Sequence, residues 1–143
     1  MNHTLILAAE LRPVLTRLVR KLRKLSPADE QLSQGERAVL VLLDQHGQLL
    51  SVELAVMEKI TPQSMGQLLN HLAAKNLVNK TVSADDKRKV IISLSETGKE
   101  RIQKVRNERD EWLARAIAET CTADEQLTLH SAIGPLTKLV DFE

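Results

Sequence analysis

Amides and cations carry the chemistry this chain could do. Gln63, Gln67 and Asn70 recur at spacings of four and three residues, with Ser64 and His71 beside them. Side-chain amides in such a row can bond base edges, notably adenine N6 and N7 in a DNA major groove. A second group, Lys87, Arg88 and Lys89, is cationic and suits phosphates and a narrow minor groove. Asp86 stands beside it and would repel DNA unless its charge is used within the protein. The bland alternatives are a solvated helix face and a solvated turn whose Asp favours the tip conformation. An absence weighs against the first of them. No Asp or Glu occurs from Ile60 through Ala84, although a helix start usually welcomes an acid because the macrodipole is positive there. An acid-free start suits a site where a DNA phosphate supplies the negative charge.

Other chemistries find no residues. No nucleophile elbow, phosphate loop, dinucleotide fingerprint or zinc-protease pair occurs, so no catalytic residue is named and no enzyme is expected. His3, His46, His71 and His130 lack ligand spacing with Cys or acids, so neither a metal nor any other cofactor is expected. The single Cys121 excludes an intramolecular disulfide and fits a reducing cytoplasm. With no resolving cysteine, it reads as a small, partly buried residue and not as a redox switch.

The amides need a helix to hold them in a row. Thr61 suits an N-cap and Pro62 the first helical position, where a missing N–H costs nothing. Met65, Leu68, Leu69 and Leu72 then form one apolar face, and Gln63, Gln67, Asn70 and Ala74 lie opposite. Lys75 and Asn76 end the helix, Asn76 as a left-handed cap. The cations need a projecting arm. Residues 77–82 and 90–94 read as paired strands, with Val90, Ile92 and Leu94 alternating, and residues 83–89 form the polar tip between them. Before the amide helix, Ser33 and Glu36 make a capping box that opens a helix closed at Gly47. Residues 48–51 leave room for one edge strand. Residues 52–59 form a short helix burying Leu54, Ala55 and Met57. Short helix, tight turn and amide helix together make a helix-turn-helix, and the arm makes a wing.

Three further segments flank this lobe. Residues 4–25 read as a helix with a stripe of Leu11, Leu15, Leu18, Leu22 and Leu25. Pro13 kinks it or marks its true start. A turn is expected over residues 25–29. Ser95 restarts helix to about residue 120, its apolar stripe of Ile102, Val105, Trp112, Leu113, Ala116 and Ile117 broken by Arg109. Thr122 and Glu125 make a second capping box for a last helix, which Gly134-Pro135 should kink or split.

Composition bounds the rest. The chain has 143 residues, and 43% hydrophobic content supports a core. Aromatics make up only 1%, which argues against base-stacking platforms. A net charge of +1 excludes a uniformly basic coat, so basicity must be local. No apolar run approaches the ~20 residues that span a bilayer, and the N-terminus lacks signal-peptide features. A soluble cytoplasmic protein is expected.

The order of helix, helix-turn-helix, wing, long helix and short helix resembles the MarR family of bacterial transcription regulators. The residues that carry the likeness are Ile60-Thr-Pro-Gln-Ser, Leu68-Leu-Asn-His-Leu, Leu77-Val, Asp86-Lys-Arg88 and Leu94-Ser-Glu-Thr-Gly98. The fold class so implied is mainly α with a small β-hairpin wing, in one domain over 1–143. Residues 32–98 would be the winged lobe, and 1–31 with 99–143 the helical dimerisation region. The resemblance implies a homodimer on a pseudo-palindromic operator in double-stranded DNA, acting as a repressor released by a small organic anion. Base and phosphate contacts would fall to Thr61, Gln63, Ser64, Gln67, Asn70, His71, Lys75, Lys87, Arg88 and Lys89, with Asp86 bracing the wing. Trp112 reads most simply as packing and Arg109 as an interfacial ion pair; the resemblance adds an effector pocket as their alternative role. Gly66 stands where the family often carries a larger residue. A mid-helix Gly costs roughly 1 kcal/mol against Ala, so either a DNA backbone comes close there or a contact has been lost. A winged-helix module that binds protein and not DNA is the competing function, and a small helical enzyme a formal third.

Overall fold

The structure is a computed structural model that describes residues 2–26 and 31–143. The expected turn over 25–29 lies, from Pro27 onward, outside the described residues. In chain order the elements are α1 (His3–Arg23), α2 (Gln34–His46), β1 (Gln48–Leu50), α3 (Ser51–Met57), α4 (Pro62–Ala74), β2 (Val78–Val82), β3 (Val90–Leu94), α5 (Glu96–Thr120) and α6 (Ala123–Val140). The chain divides into two compact units, Met1–Arg106 and Asn107–Glu143, and α5 runs through both.

The winged lobe lies in the first unit, and local chemistry explains its elements. Ser33 accepts the Glu36 N–H and Glu36 accepts the Ser33 N–H, each at 3.1 Å, which opens α2 as a capping box. Gly47 closes it at φ 82°. The room left after Gly47 is filled by β1, which pairs antiparallel with β3 so that Leu49 lies opposite Ile92. β3 is the middle strand of three, and β2 is its other neighbour, with Val82 opposite Val90 at the outer end. α3 buries Leu54 and Ala55 as expected, but Met57 is 43% exposed. The helix ends at Met57, and Lys59 turns left-handed at φ 56°, which carries the chain away from the core before Met57 can be covered.

The lobe has one core. Val39, Leu40 and Leu43 from α2, Leu54 from α3, Met65, Leu69 and Leu72 from α4, and Ile92 and Leu94 from β3 pack together. Leu68 is only half-buried at its edge. The lobe is fastened to α5 at backbone level. The Ser95 N–H donates to the Leu77 carbonyl at 3.0 Å. Its buried hydroxyl donates to the Asn76 carbonyl at 2.6 Å and accepts the Gly98 N–H at 2.9 Å. A Cβ at Gly98 would stand 2.2 Å from the Leu77 carbonyl oxygen, so only glycine fits that approach. Asn76 takes the left-handed conformation expected of it, at φ 60°.

Neither interior proline bounds its helix. α1 begins at His3, where the Asn2 side chain accepts the Thr4 N–H, so Pro13 is interior and marks no start. α6 is one helix from Ala123 to Val140 with Pro135 inside it, so Gly134-Pro135 does not split it. In each case the helix continues past the backbone donor that proline removes. α1 and α6 hold no buried residue.

Candidate nucleic-acid interface

α4 sets its amides outward because its other face is core. Met65, Leu69 and Leu72 are buried, while Gln63, Ser64, Gln67, Asn70, His71 and Ala74 are exposed. Thr61 caps the start. Its hydroxyl accepts the Ser64 N–H at 3.0 Å and donates to Ser64 Oγ at 2.9 Å. The Thr61 proton is then used, and the Ser64 hydroxyl proton is the one free to turn outward. No acid sits in the first turn. A Cβ at Gly66 would meet nothing within 4 Å, so packing within the chain does not ask for glycine there.

The wing tip is held by Asp86. Its Oδ1 accepts the Arg88 backbone N–H at 3.0 Å and Nε at 3.1 Å, and Oδ2 accepts Nη2 at 3.3 Å. Its carbonyl accepts the Lys89 N–H at 2.9 Å. The Arg88 guanidinium, followed by its backbone N–H, holds the Asp86 carboxyl below the usual aspartate range. The Arg88 side chain is nevertheless 91% exposed, against 28% for Asp86. The acid is drawn inward and the guanidinium is presented, ordered, to solvent. Lys87 and Lys89 are exposed on either side.

Two of the sequence candidates have partners that the sequence did not suggest. Lys75 donates to Glu36 Oε2 at 3.3 Å and to the Gln31 carbonyl at 3.4 Å, which ties the end of α4 to the start of α2. Burial raises the Glu36 pKa, but hydrogen bonds from Ser33 and the Lys75 charge outweigh it and hold it low. The geometry thus gives Lys75 a structural task. Asn70 Oδ1 accepts a hydrogen bond from Lys80 Nζ on β2. Lys80 was missed in the sequence. Its one signal there was that the acid-free window holds two lysines, 75 and 80, with no acid nearby to pair them. Arg106 on α5 pairs with Asp44 near the end of α2, a second fastening the sequence did not reveal. Arg109 and Trp112 lie in the other unit, both half-buried on α5 and one turn apart.

Comparison with known proteins identifies this arrangement. A family model described as transcriptional regulator SarA/Rot matches residues 21–105. An HTH-type transcriptional regulator of Mycobacterium tuberculosis is 33% identical over 94% of this chain and 93% of its own. Wild-type MarR from E. coli shares the fold with a TM-score of 0.65 at 19% identity, over 88% of this chain and 95% of its own. The chain belongs to the MarR family of winged helix-turn-helix transcriptional regulators. Within that fold, this MarR-family chain is also similar to a candidate transcriptional regulator from Pseudomonas aeruginosa. The two share a TM-score of 0.83 and 32% identity over the whole of both chains. A MepR variant from S. aureus, solved bound to an oligodeoxyribonucleotide, has the same fold with a TM-score of 0.72 at 18% identity, over 93% of this chain and 96% of its own. Its relatives' names as regulators fit a MarR-family chain that is not an enzyme.

Proposed function

We propose that this MarR-family regulator is a homodimer that reads a pseudo-palindromic operator in double-stranded DNA. α4 enters the major groove, where Gln63, Gln67, Asn70, Ser64 and His71 meet base edges and Thr61 lies at the phosphates. Each wing reaches a flanking minor groove with Arg88, while Lys87 and Lys89 meet phosphate. Residues 32–98 form the reading lobe, and 1–31 with 99–143 the helical base that pairs two chains. The observation that carries this reading is the fork between Asp86 and Arg88. It neutralises the acid that would repel DNA and holds an exposed arginine in order before any ligand arrives. An ordered guanidinium loses less freedom on entering a narrow groove than a free one.

The protein works in the cytoplasm and acts as a repressor. A small organic anion meeting Arg109 and Trp112 releases it from DNA. The test is selection of bound sequences from random duplex DNA over a series of salt concentrations. Enrichment of two-fold sites, with affinity falling steeply as salt rises, is the expected result. Absence of salt-sensitive duplex binding would leave a winged-helix module that binds protein.

A further inference from the structure

β2 carries a lysine that the contacts proposed above leave unused. Lys80 Nζ donates to Asn70 Oδ1 and so joins the wing strand to the outward face of α4. An ammonium has three donors and no acceptor, so the end of the carboxamide it meets is the oxygen. That oxygen is drawn toward β2, and the amino group is the end left for a ligand. A free carboxamide offers a donor and an acceptor side by side, which matches adenine N7 and N6. A carboxamide held by a lysine offers donors alone. Guanine presents two neighbouring acceptors, O6 and N7, and matches it; adenine N6 is a donor and does not. A donor approaching the second lone pair of the same oxygen would also meet the positive charge of the ammonium. Among the described residues no side chain bonds the Gln63 or Gln67 amide, so these two keep both ends and the adenine match.

We infer that Lys80 is a positioning residue for DNA sequence, one that fixes the Asn70 amide and turns its preference from adenine to guanine. This rests on α4 reading the major groove, and it adds a base preference at one position of each half-site. Lys80 and Asn70 are both exposed, so changing either leaves the core untouched.

The test is selection of bound duplexes from a random library by the full chain, its Lys80→Met and Asn70→Ala variants, and the double variant. Wild type is expected to enrich G·C at one base pair per half-site, and Asn70→Ala to lose about tenfold of that preference. Lys80→Met, which keeps the stem and removes the charge, is expected to move the preference at that base pair to A·T. Positions read by the two glutamines should stay as they were. In the Asn70→Ala background, Lys80→Met should change nothing further at that base pair. The inference is overturned if Lys80→Met weakens all sequences equally and lowers the salt slope by about one while guanine is still preferred, because Lys80 is then a phosphate contact. It is also overturned if Asn70→Ala loses no preference, or loses one for A·T. A wild-type protein that enriches no duplex at all would instead sink the DNA reading itself.

Discussion

At the scale of single residues, Arg88 offers the sharpest test. Its side chain is 91% exposed and, among the described residues, bonds only Asp86, two positions away. Arg88→Ala should therefore leave folding stability within about 0.5 kcal/mol, measured by thermal unfolding. Operator affinity should fall about tenfold or more, and most where A·T-rich flanks narrow the minor groove. Arg88→Lys should recover little, because an ammonium cannot make the two-pronged bond and is more strongly hydrated. Unchanged affinity of Arg88→Ala at physiological salt would mean that the wing does not read. Gln67→Ala should lose discrimination at one base pair by ~1–3 kcal/mol. A loss equal on all sequences, seen in the same binding assay, would make Gln67 a phosphate contact. The Asp86–Arg88 pair was open to sequence reading because both residues sit in one short turn. Lys75 was not, because Glu36 lies 39 positions before it and only the packed lobe brings the two together. Lys80 and Asn70 were hidden for the same reason, the one on a strand and the other on a helix.

Elements with a local cause were legible, and those whose fate depends on neighbours were less so. The caps at Ser33, Thr61 and Thr122 each satisfy donors within three residues, and all three were readable. The wing and β1 followed from alternation and from the length of chain left over. Met57 was misjudged because its cover depends on where the chain turns after α3, and Lys59 is a lysine in a conformation that favours glycine. Each proline allowed a kink or a boundary, and the boundary is excluded because both helices run on past it. The α2 cap makes a prediction about acid. Glu36 is held below the ordinary glutamate value of 4.5 in the folded protein, so the unfolded chain takes up this proton first as pH falls. Its contribution is complete above about pH 4.5 and is lost as pH drops through the folded value. Glu36→Gln should cost about 1 kcal/mol near neutrality and flatten the acid limb. Urea unfolding at a series of pH values checks both; an unchanged acid limb would mean that Glu36 is not what the acid attacks.

At the scale of the molecule, the lobe covers its own core, while α1 and α6 bury no residue. α1 exposes Leu5, Leu7, Val14 and Val19, and α6 exposes Leu127, Ile133 and Leu139. That asymmetry explains why the lobe could be assembled from the sequence while the packing of α1 and α6 could not. Two chains would cover these faces, so sedimentation at micromolar concentration should show a dimer and the unfolding midpoint should rise with protein concentration. A folded monomer under those conditions would defeat the homodimer. The junction at Gly98 also bears on how such a protein can change over generations. The groups that meet there are main-chain atoms, and no compensating side-chain substitution can move the Leu77 oxygen out of the way. A random library at this codon should return glycine alone among survivors, since even alanine overpacks the site by about 3 kcal/mol or more. Neighbouring Glu96 and Lys99, both exposed, should accept many replacements. If α4 reads DNA as proposed, drift can rewrite its operator through the amides of that helix, while the seam between the lobe and the long helix stays closed to it.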